Sequence, residues 1–150
     1  MTAPRIASLH VYPVKSCRGI DVDSALVTDT GFEWDRRWMI VDANDRFITQ
    51  RSHPMLATLS TAIVGSELWL SAAGRETLVV PGEHAGRRRT VVVWNDRPTG
   101  IDAGDEAAAW LSDVIGQAFR LVRIDPGVPR LADPNWVGPS PNPVSFADAF

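Results

Sequence analysis

Apolar residues in this chain recur with a period of two at 5–14, 20–23 and 119–124, and that spacing commits the backbone to pleated strands. The clearest hairpin is Arg37-Trp38-Met39-Ile40-Val41, the turn Asp42-Ala43-Asn44-Asp45, and Arg46-Phe47-Ile48-Thr49. Residues 5–14 predict a first strand that Pro13 sends out at a sheet edge. Ile20 and Val22 alternate with Asp21 and Asp23, and Ala25 to Thr28 lead into the Asp29-Thr30-Gly31 turn. Further strand-like runs at 56–64, 68–71, 77–80 and 90–94 are separated by glycine-bearing turns and by a loop over 82–89. So many short strands at this spacing indicate a barrel or a sandwich.

One stretch breaks the period. Between Asp105 and Ala118 the apolar positions Ala107, Trp110, Leu111, Val114, Ile115 and Ala118 fall on one helical face, predicting a helix across a barrel opening. Asp102 is the expected N-cap, Asp105 and Glu106 suit the first turn, and Gly116 marks the end. Phe119 to Ile124 alternate again and read as a closing strand. The fold class expected is mainly β: a barrel-like, coiled antiparallel sheet with one helix near the C-terminal end.

Composition narrows the function classes. With 150 residues, 45% hydrophobic and 22% charged, the chain suits one water-soluble domain. No apolar run approaches the roughly 20 residues of a membrane span, and the first residues carry no secretory pattern, so no membrane role and a cytoplasmic location are expected. The single cysteine, Cys17, builds neither a disulfide nor a cysteine-rich metal site. A net charge of −3 gives no general attraction to nucleic acid, and Arg87-Arg88-Arg89 reads as a solvated loop without the aromatic platform a nucleic-acid contact needs. Beyond Asp125, six of the eleven prolines fall between residues 126 and 143, predicting a linker that forms neither ladder nor helix and stays mobile unless it docks. Phe146 and Phe150 look like an apolar start with nothing to bury them.

Arginine supplies 14 of the 15 basic residues, and the lone lysine, Lys15, stands beside Ser16, Cys17, Arg18 and Gly19. An ammonium, a hydroxyl, a guanidinium and loop amides together make a receptor for an oxyanion such as phosphate. Arg36 and Arg37 form a second cluster, and strand geometry would aim them at opposite faces, so at most one joins Lys15. Arg51 follows the far arm of the hairpin and is a third candidate, whereas His53 before Pro54 reads as a loop residue. A protein-interaction module whose basic loops are incidental is the competing reading.

Taken in order, YPVKSCRG at 12–19, WDRRWMIVD at 34–42, FITQRSHPML at 47–56 and the GDEAAAWLSDVIG helix resemble the N-terminal β-barrel domain found at the front of molybdenum-cofactor (MOSC-type) proteins. The resemblance covers about residues 3–125. It implies a barrel domain over 1–125 and, over 126–150, a linker toward a downstream MOSC domain. It implies that Lys15, Ser16 and Arg36 contact the phosphate and pterin side of the molybdenum cofactor, with Arg51 matching a further arginine of the family. The cysteine that ligates molybdenum in that family lies in the downstream domain, so Cys17 is read as a packed side chain, not a metal ligand. The chain alone is then not catalytic. It is half of a cofactor site in a reductase or sulfur-transfer protein, for which the family implies an iron–sulfur or flavin redox partner.

Overall fold

The computed structural model describes residues 3–147 of the chain. Near the start β1 (Leu9–Val11) pairs with β2 (Ile20–Val22), and β3 (Val27–Thr28) pairs with β4 (Gly31–Phe32), both antiparallel. β5 (Trp38–Val41) follows, then a 3-10 turn at Pro54–Thr58. After it, β6 (Ser60–Val64), β7 (Glu67–Ser71) and β8 (Leu78–Pro81) make an antiparallel meander. Gly65 turns β6 into β7 at φ 61°, the left-handed region where a side chain is costly. β9 (Arg88–Thr90), β10 (Thr99–Asp102), helix α1 (Asp105–Ile115) and β11 (Arg120–Ile124) complete the main body. Last come β12 (Arg130–Leu131), the helical turn α2 (Pro134–Val137) and β13 (Pro143–Val144).

The main sheet runs β5-β11-β10-β9, antiparallel throughout. All four residues of β5 are buried, so the strand has a core on each face. Trp38 and Ile40 enter the larger cluster, with Val14, Leu59, Leu68, Leu70, Leu111 and Leu121. Met39 and Val41 enter a second one, with Phe47, Val91, Val93, Val122 and Phe146. The uninterrupted apolar run of β5 is the sequence counterpart of this two-sided burial.

The chain is mainly β with one helix of ordinary length, but its sheets do not close into a barrel. The predicted hairpin forms, with a short far arm. Asp42 Oδ1 accepts from the N–H groups of Asn44 (2.8 Å) and Arg46 (3.0 Å), which makes the turn. The far arm then meets β5 only through the Val41–Phe47 bridge and the Ile48 N–H to Ile40 C=O bond. On its other edge this arm reaches a further segment, Phe47 N–H donating to Val92 C=O at 3.1 Å. Likewise the run at 56–64 begins as a 3-10 turn, because Pro54 starts a tight turn with no side-chain cap, and becomes strand only at Ser60.

The helix starts from Gly104 at φ 97°, not from Asp102 as expected. Asp102 is buried in β10, where its carboxylate accepts from Gly104 N–H (2.8 Å), Arg120 Nε (2.5 Å) and Arg89 Nη1 (3.4 Å). The helix stops at Ile115, short of Ala118, because Gly116 adopts φ 87° and donates its N–H to Ser112 C=O. The expected arginine loop is also more ordered than composition suggests: Arg88 to Thr90 form an edge strand, and Arg89 reaches Asp45.

The proline-rich segment departs most from expectation. β12 pairs with β13 (Arg130 with Val144, Leu131 with Pro143), and Phe146 is fully buried in the second core cluster. Proline removes only its own donor, and Arg130 supplies others: it donates to Asp96 (2.7 Å), Ser145 C=O (2.9 Å) and Ala147 C=O (2.7 Å). The segment is docked rather than a free linker up to residue 147; Phe150 lies outside the described residues.

Candidate functional site

Backbone hydrogen bonds join the two motifs that carry the predicted site. Arg36 N–H donates to Tyr12 C=O (2.7 Å), Trp38 N–H to Pro13 C=O (3.0 Å), and Lys15 N–H to Trp38 C=O (2.8 Å). Asp35 Oδ1 accepts from Tyr12 N–H at 2.9 Å. Segments some twenty residues apart therefore share one edge, and Lys15 and Arg36 are brought to the same cavity. Three residues of these two motifs sit in the left-handed region, Ser16 at φ 68°, Trp34 at φ 70° and Arg36 at φ 46°. Such backbone is uncommon outside glycine and asparagine, and it persists where neighbours hold it.

The cavity is about 340 Å³ and takes in all four predicted residues, Lys15, Ser16, Arg36 and Arg51. Tyr12, Cys17, Phe47, Thr49, Gln50 and Trp94 complete its wall, which contains no carboxylate. Lys15 is buried, with its ammonium 5.6 Å from the Phe47 ring centre. The Arg36 guanidinium lies 4.5 Å from the Tyr12 ring centre and donates to Asp35 Oδ2 at 2.6 Å, which aims it across the cavity mouth. Gln50 Nε2 donates to Ser16 C=O at 2.8 Å, tying the segment that carries Arg51 to the Ser16 turn. Arg51 itself is exposed at the rim.

Arg36 and Arg37 do face different cavities, though not by strand alternation. Both precede β5, and the left-handed Arg36 turns the chain between them. Arg37 lies over Trp34 (4.8 Å) and Trp38 (5.5 Å) and pairs with Glu83. It lines a second cavity of about 450 Å³ with Arg123 and Arg130. There Arg37 and Arg123 both meet Glu83, and Arg130 meets Asp96, just as Arg36 meets Asp35 beside the first cavity.

Cys17 is buried, and burial pushes its thiol up to about 12. It packs with Val14, Trp38 and Leu59 as a small apolar group at the cavity floor. His53 meets Phe119 edge-on at 5.2 Å and lies outside the cavity. Among the described residues no three His, Cys, Asp or Glu side chains gather as a metal would need. Sequence reading missed Tyr12, Phe47, Gln50 and Trp94. The chain's only tyrosine falling inside the lysine motif was a hint for the first, but nothing local marked Trp94.

Fold and site together define a β-rich domain with a cavity whose lining, among the described residues, holds Lys15, Arg36 and Arg51 and no carboxylate. The chain belongs to the MOSC N-terminal beta barrel domain family, whose model matches residues 3–118. It is 36% identical over 130 residues to a molybdenum cofactor sulfurase of Drosophila mojavensis, covering 80% of this chain and 17% of that protein. To mitochondrial amidoxime reducing component 2 of Bos taurus it is 32% identical over 142 residues, covering 90% of this chain and 42% of that protein. The chain thus spans less than half the length of either relative. A solution structure of a Bordetella bronchiseptica protein shares the fold, with a TM-score of 0.57 at 21% identity, over 75% of this chain and 97% of that one.

Proposed function

We propose that this domain holds the phosphate end of the molybdenum cofactor for a larger protein whose MOSC domain completes the site. The observation that carries the reading is the convergence of Lys15, Ser16, Arg36 and Arg51 on one cavity without a carboxylate. The donor set suits a phosphate ester: a buried ammonium as a point charge, a guanidinium fork, a hydroxyl and a rim cation. When bound, the molybdenum centre supplies the redox or sulfur chemistry; this chain contributes no thiolate, since Cys17 is buried and protonated at neutral pH. Lys15 and Arg36 hold and orient the anion, and Asp35 keeps Arg36 in place.

The relatives named molybdenum cofactor sulfurase and amidoxime reducing component support the two whole-protein readings, sulfur transfer and oxidoreductase. An iron–sulfur or flavin redox partner is part of the second reading and comes from the family resemblance alone. Cytoplasmic placement is part of the same reading; among the described residues no helix is long and apolar enough to cross a membrane. A coiled, barrel-like course is also part of it, in which the single bridges Val41–Phe47 and Arg46–Val92 continue the main sheet round from β5 toward β9. The test is cofactor affinity in the protein with its downstream domain, at fixed salt. Lys15→Ala and Arg36→Ala each lower affinity by about ten- to hundredfold, from the roughly 1.5–3 kcal/mol of a charge-assisted hydrogen bond. Arg37→Ala is milder for binding. Silent Lys15 and Arg36 variants place the phosphate elsewhere.

A further inference from the structure

Alternation along β1 and β2 turns Val11, Ile20 and Val22 toward the protein and leaves His10 and Asp21 on the solvent face. The register sets these two directly opposite one another, and Ser8, two residues before His10, comes to the same side. Asp21 Oδ1 lies 2.6 Å from His10 Nδ1, and His10 Nε2 lies 2.9 Å from Ser8 Oγ. A carboxylate only accepts, so Nδ1 carries the proton of the neutral ring; Nε2 is then the acceptor, and the Ser8 hydroxyl donates to it. Hydroxyl, imidazole and carboxylate thus stand in the order and at the spacing that activate a serine as a nucleophile, an arrangement recognised by geometry and not by position in the chain. The Ser8 N–H donates to no group among the described residues, which leaves it beside the hydroxyl as a donor for an oxyanion. Ser8 is exposed, and the side chains of His10 and Asp21 are 44% and 89% exposed, so a small electrophile reaches the hydroxyl without any opening of the fold.

We propose that these three residues form an acyl-accepting site, with Ser8 the nucleophile, His10 the general base and Asp21 the positioning residue that fixes the ring. The substrate class is a small activated ester, such as an aryl ester, because a water-facing site offers little binding energy and the leaving group must carry the reactivity. Ser8 Oγ bonds to the carbonyl carbon as its proton passes to His10 Nε2; the bond from that carbon to the aryl oxygen breaks, and the departing phenolate takes the proton from the ring. Water then cleaves the acyl–serine ester, giving its proton to Nε2, which returns it to the Ser8 oxygen. None of the three residues lines the cationic cavity, so the site is independent of the cofactor reading. General-base assistance is worth about a hundred- to ten-thousandfold in enzymes, and for a ring surrounded by water the low end is expected.

The test treats the full chain with p-nitrophenyl acetate, follows p-nitrophenolate release by absorbance and maps acetyl groups by peptide mass spectrometry, which separates Ser8 from amines. Wild type is expected to release p-nitrophenolate faster than Ser8→Ala and to acquire acetyl on Ser8. His10→Gln slows Ser8 acetylation about a hundredfold and Asp21→Asn about tenfold, whereas Asp21→Glu, which keeps a carboxylate within reach of the ring, recovers most of the rate. Exposed polar pairs contribute little to folding, so all four variants should keep a thermal midpoint within a few degrees of wild type. Release unchanged in Ser8→Ala, or Ser8 acetylation unchanged in His10→Gln, overturns the site. An Asp21→Asn protein as fast as wild type overturns the role given to Asp21.

Discussion

Phe146 is the anchor by which the proline-rich segment is held, and replacing it with alanine tests that docking directly. Its ring is fully buried among Met39, Val41, Phe47, Val91, Val93 and Val122. Its N–H donates to Arg36 C=O at 2.9 Å, so the anchor also steadies the backbone of a cavity residue. Removing a buried phenyl group costs the transfer free energy of the ring plus the cavity left behind, about 3–5 kcal/mol. That is a large share of the 5–15 kcal/mol a domain of ordinary size possesses. Phe146→Leu keeps most of the volume and costs less, about 1.5 kcal/mol or under. Trp136→Ala, on the same segment but 75% exposed, stays within about 0.5 kcal/mol of wild type. Urea unfolding followed by far-UV circular dichroism measures all three, with the slope checked for constancy so that midpoints compare as stabilities. A loss under about 1 kcal/mol for Phe146→Ala would refute the docking, because no ring closed over by that cluster can be removed so cheaply.

Three further outcomes follow from the buried polar groups. Asp102→Ala leaves Arg89 and Arg120 without their shared carboxylate and lowers stability by about 2–3 kcal/mol, below the fully buried case because Arg120 is 31% exposed; chemical denaturation reads it, and a change under about 0.5 kcal/mol contradicts the network. Burial raises the Cys17 thiol from 9.0 to about 12, so the unfolded chain ionises first as pH climbs through 9 and folding stability falls progressively between pH 9 and 12. Cys17→Ala should lack that part of the decline, and native Cys17 should resist alkylation at pH 8; rapid labelling of folded protein is the contrary result. The Arg88 guanidinium bonded to Asp125 holds its carboxyl below the ordinary 3.8, so this pair supports folding above that pH and the support is lost as pH falls below it. Arg88→Gln should therefore flatten the acid limb of a stability–pH curve; an unchanged limb shows that the pair contributes nothing.

The sequence by itself determined the strand-rich class, the one amphipathic helix and the family, and it singled out Lys15, Ser16, Arg36 and Arg51, which line one cavity, because each is written in local spacing or local chemistry. The apolar runs of β5 and β11 form strands wherever they end up, and Ala107 and Leu111 bury one face of α1 because the helical repeat puts them there. Tertiary structure decided what local pattern cannot encode. That Phe47 bridges Val41 of β5 on one side and donates to Val92 C=O on the other depends on a segment distant in sequence arriving beside it. Asp102 could cap a helix by its spacing, but the arrival of Arg89 and Arg120 gave its carboxylate stronger partners. The proline-rich segment reads as unattached because its composition lacks donors, yet one buried arginine and one buried phenylalanine are enough to dock it, and neither partner surface is visible in its own sequence. Trp94 enters the cavity for the same reason: its direction is set by a turn clamped through Asp96 to Arg130, and long-range contacts of that kind exist only once the chain has folded.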